Sequence, residues 1–136
     1  MKKFEFIEHT ADIGLVAYGD NLAEAFANAA YGLFSIITEP ESLKESVTES
    51  VAVSAEDPES LLFNWLNYLI YIFDVEHLLL KSFIITRLSD YELKAECRGE
   101  PYDPSRHQLK LGVKSATYHM LEVDAEANRV QVIFDV

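Results

Sequence analysis

Three polar residues crowd one short corner of the chain. His9, Thr10 and Asp12 sit in HTADIGLVAYG, between the strand-like runs FEFIE and IGLVAYG. A connector needs only a glycine or an asparagine, so an imidazole, a hydroxyl and a carboxylate together mark a place where chemistry is available. The residues able to answer Asp12 stand at the other end, in RVQVIFDV. There Val130, Val132, Phe134 and Val136 share one parity, while Gln131, Ile133 and Asp135 share the other. Val136 is the last residue of the sequence, so a terminal carboxylate is expected beside Asp135. If the first and last strands meet, three carboxyl groups converge. Clustered carboxylates repel, and one stays protonated unless a cation joins them. Hard oxygens of this kind suit Ca²⁺ or Mg²⁺, with water and backbone carbonyls completing the shell. The plainer arrangement has Asp12 capping a turn through its own backbone and Asp135 solvated at a frayed end. On the residues alone, that plainer arrangement is preferred.

Other reactive side chains are scattered. His9, His107 and His119, with Arg106, are candidates for a catalytic or metal constellation. Their spacing is not that of an H-E-x-x-H helix, and histidines satisfied by hydrogen bonds are the commoner case. Lys114 in VKSATYH stands on the face opposite Val113. Such a lysine is usually a snorkelling surface residue; the alternative is a positive charge presented to a phosphate or a partner carboxylate. No Gly-rich phosphate loop and no nucleophile elbow occurs.

The elements that must position these groups follow from periodicity. FEFIE (4–8) and IGLVAYG (13–19) read as strands. Asn21 and Glu24 offer a capping-box-like start, and Leu22, Ala25, Phe26, Ala29, Ala30, Leu33 and Phe34 recur at helical spacing, so a helix is predicted over 21–37. Residues 39–59 hold seven acids against Lys44, read as a solvated connection around a strand, VAVSA at 51–55, rather than an acidic docking surface. Asp57 and Pro58 open a second helix, whose buried face is Leu61, Leu62, Trp65, Leu66, Leu69, Ile70 and Phe73. Asn64, Asn67, Tyr68, Tyr71 and Asp74 form a narrower polar stripe. SFIITRLS and YELKAECRG read as a hairpin turning near Ser89-Asp90, and GEPYDPSRH (99–107) as a loop. LKLGVKSATYHMLEV reads as a long bent strand with Gly112 as its bulge or point of close approach, then a turn at 126–128 and the final strand. The order predicts a single α+β domain over 1–136, with two main helices packed on a mainly antiparallel β-sheet system.

Composition bounds the function. The chain has 136 residues, 49% apolar and 25% charged, ordinary for one folded domain. With 23 acids against 11 bases and a net charge of −12, it has few cations to spare for direct nucleic-acid binding, which is not expected. The single Cys97 has no internal disulfide partner, and no run is long and apolar enough for a signal peptide or a membrane span. A cytoplasmic protein without membrane attachment is expected.

Taken together the segments resemble the archease family. The resemblance rests on HTADIGLVAYG with LAEAFANAAYGLF, SLLFNWLNYLIYIFD, GEPYDPSRH with VKSATYHMLEV, and VIFDV, in the family's order over nearly the whole chain. The family commonly has an acid before the VK pair where this chain has Gly112, and Ala where it has Ser115. The resemblance implies a small accessory factor, not an enzyme. It would act with the tRNA-splicing ligase that joins a 3′-phosphate or 2′,3′-cyclic phosphate end to a 5′-hydroxyl, promoting its GTP-dependent guanylylation on histidine and its repeated turnover. It further implies a divalent cation, calcium with magnesium as the alternative, held by Asp12, Asp135 and the main chain of Val136, and a role in activation for Lys114. Under that resemblance the convergence of carboxylates becomes the favoured arrangement, and an acidic helper is steered to a partner that must display positive charge. Two other readings are a metal-dependent hydrolase or phosphotransferase using His9, Asp12, Arg106 and His107, and a chaperone-like module with an exposed apolar patch.

Overall fold

The computed structural model describes residues 2–8 and 12–136. Nine main elements follow in the order β1 (Phe4–Glu8), β2 (Asp12–Tyr18), α1 (Leu22–Ile37), β3 (Val47–Ser54), α2 (Pro58–Tyr71), β4 (Leu78–Leu88), β5 (Glu92–Pro101), β6 (Ser115–Asp124) and β7 (Arg129–Asp135). A 3₁₀ turn at Pro40–Ser42 and a π-helical turn at Ile72–Glu76 complete them. The strands form two antiparallel sheets, one in the order β1-β2-β7-β6 and the other β3-β5-β4. The α+β expectation, two helices with antiparallel sheets, holds.

Both helices begin where their capping chemistry places them. The Glu24 amide donates to Asn21 Oδ1 at 2.8 Å, and Glu24 Oε1 accepts from the Asp20 amide at 3.0 Å, so the reciprocal bond reaches one residue further back than in the usual box. At α2 the Ser60 amide donates to Asp57 Oδ1 at 2.7 Å, with Pro58 at the first helical position. Leu61, Leu62, Trp65, Leu66 and Leu69 are fully buried along α2, each contributing roughly 1.5–3 kcal/mol of transfer free energy. Trp65 Nε1 donates to the Phe26 carbonyl at 3.0 Å, tying α2 to α1. The polar stripe of α2 docks on strand ends: Asn64 donates to the Ser54 carbonyl at 2.8 Å, and Asn67 Oδ1 accepts from the Ala116 amide at 2.8 Å. Asn67 thereby satisfies part of β6, an edge strand of its sheet.

Three expectations need correction. β3 is longer than VAVSA and pairs in full with β5. The stretch LKLGVK is not strand: β6 begins at Ser115, and Leu109 and Leu111 are exposed. The reason lies at the end of α1, where Thr38 Oγ1 donates to the Gln108 carbonyl and the Lys110 amide donates to the Ile37 carbonyl, so 108–110 satisfies helix-terminal groups instead of a ladder. Gly112 is no close-approach point either, because a Cβ there would meet nothing within 4 Å. That role belongs to Gly99, where a Cβ would stand 1.9 Å from the Leu79 carbonyl oxygen. The irregularity of β6 falls instead at residues 118–121, which all lie between the Thr117↔Ile133 and Glu122↔Gln131 pairs, with Met120 at φ 54°.

Candidate functional site

The first sheet joins an N-proximal hairpin, β1–β2, to a C-proximal hairpin, β6–β7, through the β2–β7 ladder. Its register is fixed by burial. Leu15 packs on Gly32 of α1, where a Cβ would lie 2.9 Å from the Leu15 methyls, and Leu15, Ala17, Val130, Val132 and Phe134 are all buried. A slip of one residue would expel that entire set. The same register makes Asp12 and Asp135 direct cross-strand partners, and sets Ser115 opposite Asp135 on its other side. Alternation therefore places Asp12, Asp135 and Ser115 in one row on the sheet face turned away from α1.

Segment 108–114 closes one side of this tip. It leaves the C-terminus of α1, where Lys110 Nζ donates to the Ser35 carbonyl at 2.8 Å and lies 3.2 Å from Glu39, supplying the cation that the last turn of α1 lacks. It ends where the Lys114 amide donates to the Asp135 carbonyl at 2.8 Å. Val113 is buried and Lys114 exposed, as the alternation predicted. Continuing the β6–β7 register sets Lys114 opposite Val136, whose side chain packs on the core.

Paired aspartates with main-chain oxygens at the end of β7 form a hard, oxygen-only donor set, which fits Ca²⁺ or Mg²⁺ better than a softer metal. Among the described residues no three His, Cys, Asp or Glu side chains stand close enough to hold a metal ion. His9 and Thr10 lie outside the described residues.

Arg106 and His107 are turned elsewhere. Both converge on Glu100, which is 5% exposed: the Arg106 guanidinium pairs with one carboxylate oxygen, and His107 Nε2 lies 3.1 Å from the other. The Lys44 amide donates to Glu100 Oε2 at 2.7 Å. Because His107 Nδ1 accepts from the Asp103 amide at 2.8 Å, the ring proton sits on Nε2 and points to the carboxylate. Burial pushes the Glu100 carboxyl up, but the Lys44 amide, His107 and Arg106 outweigh it and hold it below its ordinary value. This network ties loop 102–107 to the end of β5 and to residue 44, a structural duty that accounts for both side chains. Glu100 escaped sequence reading, although an acid between Gly99 and Pro101, six residues before an Arg-His pair, was the available signal. His119 is exposed in the irregular stretch of β6.

Beside the aspartate row lies an open cleft of about 670 Å³. Phe6, Ile7 and Ile13 of the hairpin, Ile36 of α1 and Leu111 of the closing segment supply apolar walls, with Asp12, Ser35 and Lys110 as the polar lining.

The sequence profile of the Archease protein family matches residues 4–136. The chain is 42% identical over 127 residues to protein archease of Pyrococcus abyssi, covering 91% of this chain and 89% of that one. It is 36% identical over 141 residues to protein archease of Methanosarcina mazei, covering 99% and 97%. The solution structure of a Methanobacterium thermoautotrophicum protein, 34% identical, superposes over the full length of both chains with a TM-score of 0.81. A Thermotoga maritima structure described as an archease, possible chaperone, shares the fold at a TM-score of 0.64 and 22% identity, covering 96% and 94%.

Proposed function

The chain belongs to the archease family, and from that premise we propose that it is a non-catalytic activator of the tRNA-splicing RNA ligase, promoting the ligase's guanylylation and repeated turnover in the cytoplasm. The single observation that carries the reading is the β2–β7 register, which makes Asp12 and Asp135 neighbours from opposite ends of the sequence, with the Lys114 amide on the same Asp135 carbonyl. Asp12, Asp135 and the main chain of Val136 would hold the divalent cation, which when bound offsets the repulsion between the two carboxylates. With that repulsion offset, the start of β2 and the end of β7 form a fixed tip. Lys114, whose side chain is exposed at this tip, presents an ammonium to the phosphate-bearing site of the ligase. A cation aimed at charge developing on a transferred phosphoryl group is worth most where water is excluded. The acidic balance of the chain favours encounter with a partner whose RNA and nucleotide sites are positive, without competition for the RNA itself.

The test is single-turnover guanylylation of the cognate ligase with wild-type protein and with Asp12→Ala, Asp135→Ala and Lys114→Ala. Each variant is expected to lower stimulation by about tenfold or more, equivalent to the loss of roughly one charge-assisted contact. Stimulation by all three at the wild-type level refutes the proposal, as does turnover of phosphoesters or nucleotides by the isolated protein.

A further inference from the structure

Helix α2 offers two asparagine side chains to strand backbone, and they meet it in different places. Asn64 donates to the Ser54 carbonyl, at the end of β3. Asn67 reaches the start of β6, where its Oδ1 accepts from the Ala116 amide at 2.8 Å and its Nδ2 lies 3.5 Å from the Ala116 carbonyl oxygen. Leu66 and Leu69, either side of Asn67 along the helix, are fully buried, so the mount is fixed. Ala116 is 2% exposed, which makes water a poor substitute for the asparagine.

Lys114 stands two residues before Ala116, where irregular chain gives way to strand. Upstream, residues 108–113 form no ladder, and a Cβ at Gly112 would meet nothing within 4 Å. Downstream, β7 grips one side of the chain: the Lys114 amide donates to the Asp135 carbonyl and Thr117 Oγ1 donates to the Ile133 carbonyl, both at 2.8 Å. Asn67 grips the other side, between those two bonds. We infer that Asn67 is a positioning residue for Lys114, fixing the first residues of β6 between α2 and β7 so that the lysine leaves the tip in one direction. The inference rests on reading Lys114 as the side chain that acts on the ligase. A group that must be aimed at a reacting phosphate loses much of its effect when its backbone wanders by about 1 Å. The plainer role, satisfying an edge strand and nothing more, is the one Asn64 performs at β3, and the two asparagines can therefore be set against each other.

The experiment is single-turnover guanylylation of the cognate ligase with Asn67→Ala, Asn64→Ala, Lys114→Ala and Asn67→Ala/Lys114→Ala, each at a temperature where circular dichroism shows it folded. Losing one hydrogen bond should lower Tm by about 4 °C in either single asparagine variant. Asn67→Ala is expected to lower stimulation about fivefold, and Asn64→Ala less than about twofold. In the Lys114→Ala background, Asn67→Ala should remove less than about twofold more, because the side chain it places is gone. Equal losses from the two asparagine variants, or losses from Asn67→Ala and Lys114→Ala that simply multiply, overturn the inference. Hydrogen exchange of the wild-type protein supplies a test that needs no variant to fold: the Ala116 amide should be protected at least about a hundredfold, and exchange near the unprotected rate overturns the inference. Impaired Lys114→Ala beside fully active Asn67→Ala removes the positioning role and leaves the proposed function standing. Fully active Lys114→Ala removes the lysine's part in that function, and this inference with it.

Discussion

Replacing Asp135 by asparagine is expected to change stability in opposite directions with and without a divalent cation. Direct cross-strand partners carry their Cβ atoms about 5 Å apart, and Asp12 and Asp135 are such partners. Two unit negative charges at about 5 Å repel by roughly 1 kcal/mol in a water-like medium and about 3 kcal/mol at an effective dielectric of 20. Both residues are only partly buried, so the lower figure applies, in line with the roughly 0.2–1 kcal/mol found for cross-strand pairs. In chelator, Asp135→Asn should therefore raise stability by up to about 1 kcal/mol, or about 4 °C in Tm for a domain of this size. With calcium at about a hundredfold over its Kd, wild type should gain about 2.7 kcal/mol by linkage, and the variant should gain far less. Thermal and urea unfolding in chelator and in millimolar CaCl₂ measure all four states. A variant less stable than wild type in chelator refutes the repulsion, and an equal calcium response in both proteins refutes Asp135 as a ligand.

Other consequences are independent of the metal. Gly99→Ala should cost about 1–3 kcal/mol or more, since the new Cβ starts 1.9 Å from the Leu79 carbonyl oxygen. Gly112→Ala should fall within about 0.5 kcal/mol of wild type, and urea melts showing the two substitutions alike would contradict the close-approach assignment. Cys97 is fully buried, with its thiol pushed up to about 12 chiefly by burial and also by Glu96 and Glu49. It should resist thiol reagents in the native state and react fully in denaturant, and labelling of the native protein at the rate of a free thiol would refute the placement. Because the folded Glu100 carboxyl is held below its ordinary value of 4.5, its contribution is present above that pH and is lost as pH falls through the depressed value. Glu100→Gln should cost about 1–3 kcal/mol at pH 7 and progressively less in acid, and a deficit that stays constant down to pH 3 would show that the charge is not what matters.

The parts of the fold that sequence reading captured are those decided within a few residues. Asn21 with Glu24, and Asp57 with Pro58, start helices through bonds to amides three or four positions away. In β5 the alternation of Leu93, Ala95 and Cys97 against Lys94, Glu96 and Arg98 reads directly as a buried and a more exposed face. The meeting of Asp12 and Asp135 was posed by residue type and parity but not decided by them, because a ladder between residues more than a hundred positions apart leaves no local trace. Leu109 and Leu111 alternate like a strand, yet the end of α1 captures the backbone of Gln108 and Lys110 beside them. Gly99 and Gly112 are indistinguishable by composition, and only the approach of Leu79 separates them. The pair Arg106-His107 suggests catalysis until Glu100 is seen between them and the Lys44 amide.

The proposed activation of an RNA ligase acts through the tip where β2 meets β7. Its most direct test is a multiple-turnover joining assay with the cognate ligase, GTP, divalent metal and RNA bearing 2′,3′-cyclic phosphate and 5′-hydroxyl ends. Many products per ligase are expected in the presence of wild-type protein, and about one per ligase when the protein is omitted or carries both Asp12→Ala and Lys114→Ala. The same yield in all three reactions would contradict it.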